Sequence, residues 1–322
     1  MKNETRTGLL TAVAAYGLWG VLPVFFLLLH PAGAPEIVAW RILFSLVFCL
    51  VLLAATRGFP RFREILRDRR LVSTLALAGV VIVVNWTTFI FATVTGHVVE
   101  AALGYFMNPI VTVLLGVVVL RERLRSAQWA AVGISIVAVV IIAVGYGQLP
   151  WISLLLAFSF GSYGLIKKQV GGRIDALSGL TIETLALAPL AAVTVIILAV
   201  LGSQGVGSGV VFGTAGGLQA GATVASGVIT AVPLLLFAAA ARRLPLSTLG
   251  LTQYLTPILQ LIVGVAILHE PMTSARWVGF ALIWVALVVL SVDAIRTARG
   301  SRSDATLSTL VRPSEESPRL GG

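Results

Sequence analysis

The chain has 322 residues, of which 58% are hydrophobic and only 11% charged; soluble domains carry roughly a quarter charged. This balance excludes a water-soluble globule, which would lack the polar surface to cover itself, and a disordered chain, which needs low hydrophobicity and high net charge. The one cysteine, Cys49, excludes an internal disulfide or a cysteine metal cage, and the net charge of +10 is spread in short clusters between apolar runs rather than gathered into a nucleic-acid patch.

A bilayer core is crossed by about 20 apolar residues in helical form, because every backbone polar group there must bond within its own segment. Ten stretches meet that measure: Gly8 to Leu29, Glu36 to Thr56, Leu71 to Thr95, Val98 to Leu120, Ala127 to Gly145, Pro150 to Ile166, Ala176 to Leu201, Gly217 to Ala241, Leu246 to Leu268 and Ala275 to Val292. Only Gly96 and His97 separate the third from the fourth. The first run follows Lys2 and Arg6 and precedes Ala32-Gly33-Ala34, as a cleaved signal would, but it is longer than a signal core and its removal would break the charge pattern described next. Loop by loop, 21 of the 23 Lys and Arg fall on one side of the membrane; Arg276 alone falls on the other, and Arg41 lies inside a span. Cytoplasmic loops carry such an excess. The reading is therefore an all-α, multi-pass protein of the cell (inner) membrane with ten transmembrane helices. Both termini are cytoplasmic, residues 1–7 as a short leader and the Ser-, Arg- and Pro-rich residues 293–322 as a disordered tail.

Sliding the chain against itself exposes a duplication. Asn108-Pro109, Gly116, Leu120, Glu122, Ser126, Ala127 and Trp129 match Thr256-Pro257, Gly264, Leu268, Glu270, Ser274, Ala275 and Trp277 at a constant offset of 148. Tyr16-Gly17-Leu18-Trp19-Gly20 matches Phe160-Gly161-Ser162-Tyr163-Gly164 at an offset of 144. Residues 8–145 and 150–292 thus form two five-helix repeats. Because five is odd, the second copy enters the membrane from the opposite side. Such inverted repeats give a carrier two related conformations, one open to each face.

The paired halves, Tyr105-Phe106-Met107-Asn108-Pro109 with Glu122 and Trp129, and Leu251-Thr252-Gln253-Tyr254-Leu255-Thr256-Pro257 followed by Glu270-Pro271, resemble the EamA-type drug/metabolite transporters. Ala39-Trp40-Arg41, Asn85-Trp86, Leu103-Gly104-Tyr105, Leu149-Pro150-Trp151, the run 179–184 and the run 230–237 are similar to the RarD branch of that family. The resemblance covers nearly all of residues 8–292; the Gly-rich linker 202–217 and the tail depart from it. It implies an inner-membrane carrier with a central cavity lined by the third, fourth, eighth and ninth spans. The label chloramphenicol-sensitive protein, common in this branch, does not establish a substrate.

A charge at mid-helix costs roughly 2.5–3.5 kcal/mol to insert, so embedded ionisable groups are functional candidates. Arg41, Glu100 and Glu183 are the three within spans, with Glu36 at an edge. Arg41 and Glu100 lie at similar depth near the outer ends of their helices. An ion pair between them would offset the desolvation of both, as an external gate or a static pin, and Arg41 could alternatively anchor an anionic substrate. Glu183 has no obvious partner in the sequence and is the proton-coupling candidate, with a hydrogen-bonded structural glutamate as the alternative reading. Asn85, Trp86, Tyr105, Asn108, Gln253, Tyr254 and Gln260 are mid-span polar or aromatic groups of the kind that line small-molecule pockets. Pro109 and Pro257, at matching positions, are expected to kink their helices. Gly213, Gly217, Gly221 and Ala225 form a small-residue stripe that reads as helix packing or as the face of a homodimer.

Nothing in the chain carries a phosphate loop, a two-histidine zinc helix or a nucleophile elbow. The sequence supplies no catalytic set, metal site or cofactor site, and its expected partners are a small-molecule substrate and the lipid bilayer, with no nucleic acid. The expectation is a secondary transporter of a small organic metabolite or drug, working by alternating access and coupled to protons. Its rivals are a multi-span scaffold or a membrane enzyme.

Overall fold

The computed structural model describes residues 2–310 apart from 122, 171–172, 208, 242, 245–247 and 250–251. Its helices are α1 (Lys2–Leu27), α2 (Ala34–Ala55), α3 (Phe59–Arg67), α4 (Arg69–Val94), α5 (Val98–Leu120), α6 (Ser126–Tyr146), α7 (Trp151–Val170), α8 (Ala176–Ser203), α9 (Gly217–Ala241), α10 (Leu255–Ile262) and α11 (Ser274–Leu310). A wider π turn, Val263–Ile267, prolongs α10. Eight of these, α1, α2, α4, α5, α6, α8, α9 and α11, are long and apolar enough to cross a membrane, while α7 and α10 with its π extension are shorter apolar helices. The short turn expected between the third and fourth spans is present as Thr95, Gly96 and His97, one residue longer than expected because α4 ends at Val94, with Gly96 at a φ of 72° that favours glycine.

Two differences from the expected boundaries have local causes. Within the Arg-rich stretch after the second span, α3 places Phe62 and Ile65 against Leu53, Leu71 and Leu75 and leaves Arg61, Arg63 and Arg67 outside; its apolar residues recur at helical spacing among the arginines. The last helix runs on to Leu310, through the first part of the segment expected to be disordered, and residues 311–322 lie outside the described residues.

The packing follows the duplication. Helix α1 lies on α9 and α10 as α7 lies on α4 and α5; α2 lies on α9 as α8 lies on α4; and α2 with α8, α5 with α10 and α6 with α11 pair like with like. Exchanging α1, α2, α4, α5 and α6 with α7, α8, α9, α10 and α11 in turn carries the first six of these contacts onto one another in three pairs and returns the three like-with-like pairs to themselves. One apolar core centres on Phe26, Ile37, Ile42, Trp86, Ile90 and Leu156, and a second on Phe106, Ile142, Phe280 and Ile283.

The basic ends are tied by aspartates outside the spans. Asp68 starts α4 by accepting the Leu71 N–H at 3.0 Å, and Asp175 starts α8 by accepting that of Ser178 at 2.9 Å, so each satisfies an orphan donor of a first turn. Asp68 also meets Arg173, just ahead of α8, at 2.6 Å, and Asp175 meets Arg61 of α3 at 3.8 Å. The Leu71 N–H, and then the Arg173 guanidinium, hold the Asp68 carboxyl below its ordinary value. A carboxyl depressed in the fold contributes stability that is present above its unfolded-state pKa and is lost as pH falls through its folded one. Asp68→Asn should therefore melt below the wild type at pH 7, and the gap should close as the pH is lowered past 4, which a melting series in detergent reads directly.

Candidate functional site

Arg41, in the first half of α2, is 4% exposed. Its Nε–H donates to Thr230 Oγ1 on α9 at 2.7 Å. The guanidinium carbon lies 4.3 Å from the Trp86 ring centroid and 5.5 Å from that of Phe26, a placement in which two ring faces solvate the charge without neutralising it. Nη1 is buried without a hydrogen-bond partner, and Ser45 Oγ, one turn further along α2, is too.

The expected pairing of Arg41 with Glu100 does not occur. Glu100 is paired with Arg276 at 3.3 Å, and Arg276 also donates to the Pro271 carbonyl at 2.6 Å. Equal depth along two helices does not put two side chains on facing surfaces. Glu100 sits in the first turn of α5, and the segment leading to α11 is fastened to that turn by Glu270, whose carboxylate oxygens accept the N–H groups of Val98 and Val99 at 2.6 and 2.9 Å. At the same end, Glu36 accepts the N–H groups of Val211 and Phe212 at 2.8 and 2.9 Å, and Phe212 packs on Trp40. The Gly-rich linker, which departs from the family resemblance, is thereby attached to α2.

Glu183, 1% exposed on α8, has the partners the sequence did not reveal. Lys167 Nζ approaches it at 2.6 Å, and the Tyr163 hydroxyl donates to it at 3.1 Å. Both lie on α7, four residues apart and hence on one face. Gly79 of α4 lies against the Glu183 backbone, where a Cβ would come within 3.2 Å of its carbonyl oxygen.

The seven expected cavity residues divide. Asn85, Trp86 and Tyr105 belong with Arg41: Asn85 accepts the Tyr105 hydroxyl at 3.0 Å and donates to Leu156 O and Ser159 Oγ, each at 3.1 Å. Rings continue from there in edge contacts, Phe26 to Phe89 to Tyr105 to Phe160. Phe160 and Tyr163 then link this group to Glu183. Asn108 is buried, its Oδ1 unpartnered. Gln260 donates to the Trp19 carbonyl at 3.3 Å, and Thr256 to that of Tyr16 at 2.9 Å, so this part of α10 serves to bind α1. Tyr254 packs instead with the second apolar core, and Gln253 is half-buried just ahead of α10. Pro109 lies inside an unbroken α5, whereas Pro257 occupies the first turn of α10, where its missing N–H costs nothing. Of the small-residue stripe, Gly213, Gly217 and Gly221 have nothing within 4 Å of where a Cβ would stand. Within the chain they are not a close-packed seam.

Comparison with known proteins gives the family. The EamA-like transporter family model matches twice, over residues 6–144 and 149–292. Protein RarD of Streptomyces exfoliatus is 48% identical over 318 residues, 98% of both chains. The uncharacterized transporter YojE of Bacillus subtilis is 38% identical over 308 residues, 93% of this chain and 98% of its own. A chloramphenicol-sensitive protein RarD of Pseudomonas aeruginosa is 30% identical over 91% of this chain and 96% of its own. A solved crystal structure aligns with 92% of this chain and 99% of its own at a TM-score of 0.56 and 19% identity, a likeness of fold alone. These names describe transporters rather than enzymes, and the apolar helices describe a multi-pass membrane protein.

Proposed function

The chain belongs to the EamA-like transporter family, in its RarD branch, and from that premise we propose that it is a secondary carrier moving a small organic solute across the inner membrane by alternating access. The observation that carries this reading is the packing described above: each span contacts its neighbours as the span five places on contacts their counterparts. In the ten-span topology, with both termini in the cytoplasm, 8–145 and 150–292 are copies of opposite orientation that exchange shapes. The substrate compartment lies among Arg41, Trp86, Asn85, Tyr105 and Phe160. Its outer closure is the Glu270 cap on α5 with the Glu100–Arg276 pair. Coupling resides in Glu183: the carboxylate holds Lys167 and Tyr163, and a proton taken up by Glu183 releases both.

The test is a single cysteine at Tyr105 in a Cys49→Ser background, probed with an impermeant thiol reagent from each face of reconstituted vesicles. A carrier exposes Tyr105→Cys to one face or the other according to the solute gradient; a static scaffold leaves its accessibility fixed.

A further inference from the structure

Every embedded carboxylate among the described residues is engaged. Glu100 faces Arg276, Glu183 faces Lys167, and Glu36 and Glu270 accept backbone N–H groups. Arg41 is the exception on the cationic side: no Asp or Glu of the described residues forms an ion pair with it. Its charge rests on one hydroxyl and two ring faces. Rings cover the faces of the guanidinium and Thr230 takes the Nε–H, so the edge not used by that bond is the one bearing Nη1 and Nη2; such an edge presents parallel N–H groups at the spacing of a carboxylate's oxygens. The unsatisfied groups beside it are of the matching kind, since Nη1 of Arg41 and Oγ of Ser45, four residues on and so on the same helix face, are both buried donors without an acceptor. Phe89 and Tyr105 extend the ring surface around them.

We propose that Arg41 is the docking point for the carboxylate of a small organic acid, with Ser45 as an auxiliary donor and the rings of Trp86, Phe26, Phe89 and Tyr105 enclosing an apolar or aromatic body. The assignment takes its route of entry from the carrier reading above. The ligand class follows from the site itself: a neutral isostere would leave the guanidinium uncompensated, and a cation would repel it.

Purified protein in nanodiscs, in carboxylate-free buffer, is titrated with matched pairs: acetate and acetamide, benzoate and benzamide, phenylacetate and phenylacetamide, indole-3-acetate and indole-3-acetamide. Melting temperature and tryptophan fluorescence are read, the latter because Trp86 stacks on the guanidinium. At least one acid is expected to bind saturably and at least tenfold more tightly than its amide. Arg41→Gln should remove that preference, and Arg41→Lys, which keeps the charge but not the fork, should retain part of it and serves alone if Arg41→Gln does not fold. The assignment is overturned if no acid of the panel binds, if acid and amide bind alike, if inorganic anions alone protect, or if binding survives Arg41→Gln. Flux of the labelled acid in vesicles separates the two readings. Arg41-dependent binding without flux leaves the anion site standing and removes the carrier, whereas flux of solutes indifferent to Arg41→Gln does the reverse.

Discussion

Lys167→Met should destabilise the protein far more than Glu183→Gln does, although both break the same contact. Removing the lysine strands a carboxylate that is 1% exposed, with only the Tyr163 hydroxyl for company; taking one partner from a buried pair costs about 3–5 kcal/mol. The Lys167 side chain is 27% exposed, so water reaches its end and the lower part of that range applies. Gln at 183 leaves no orphan charge, and a lysine at that exposure returns to water. The double change Lys167→Met with Glu183→Gln should therefore recover most of the lost melting temperature, and lowering the pH should rescue Lys167→Met alone, since protonation removes the stranded charge. In vesicles, Glu183→Gln should make solute flux indifferent to an imposed pH gradient. A Glu183→Gln carrier still driven by the gradient would leave the triad a structural pin.

How much of this was visible beforehand depends on whether the information was local. Apolar runs place helices because each span must satisfy its own backbone, the Gly96 turn is a sequence-adjacent pattern, and the repeat is a match of residue order that needs no knowledge of contacts. Pairing of embedded charges is not. Lys167 and Arg276 read by charge count as charges of the flanks, Lys167 one residue past the run 150–166 and Arg276 at the very start of the run 275–292, yet α7 continues to Val170 and α11 begins at Ser274, so both stand on helices and send long arms back to buried carboxylates. The spacing of Tyr163 and Lys167 on one face was a usable signal for the first; nothing local marks Glu270 as the cap of a helix 172 residues away. The three-residue spacing of Phe59, Phe62 and Ile65 likewise announced α3 beneath its arginines.

Glycine shows the same limit, and yields the second large effect. The stripe that reads as a packing motif, Gly213 to Gly221, is open, whereas Gly227, outside it, is where α9 meets α2: a Cβ there would stand 2.5 Å from the Phe44 carbonyl oxygen and 2.8 Å from the Ser45 nitrogen. Gly104 is similar, 2.7 Å from the Ser153 carbonyl oxygen on α7. Backbone cannot turn aside as a side chain can, so Gly227→Ala and Gly104→Ala must force helices apart, at a cost of about 3 kcal/mol, the upper end for overpacking. At Gly20 the obstacle is the Leu259 side chain, which can rotate in part, and at Gly164 there is nothing within 4 Å. Gly164→Ala should be neutral or stabilising by up to about 1 kcal/mol from helix propensity. Melting of the four alanine variants in detergent should rank Gly227 and Gly104 lowest, then Gly20, then Gly164 at or above wild type. Gly227→Ala should also cost acid binding out of proportion to its stability. The helices it separates hold Arg41 and Thr230, three residues beyond the glycine, and that hydrogen bond sets the direction of the guanidinium. A Gly227→Ala protein that melts like the wild type would mean that α2 and α9 are not in backbone contact, and the position assigned to Arg41 would fall with it.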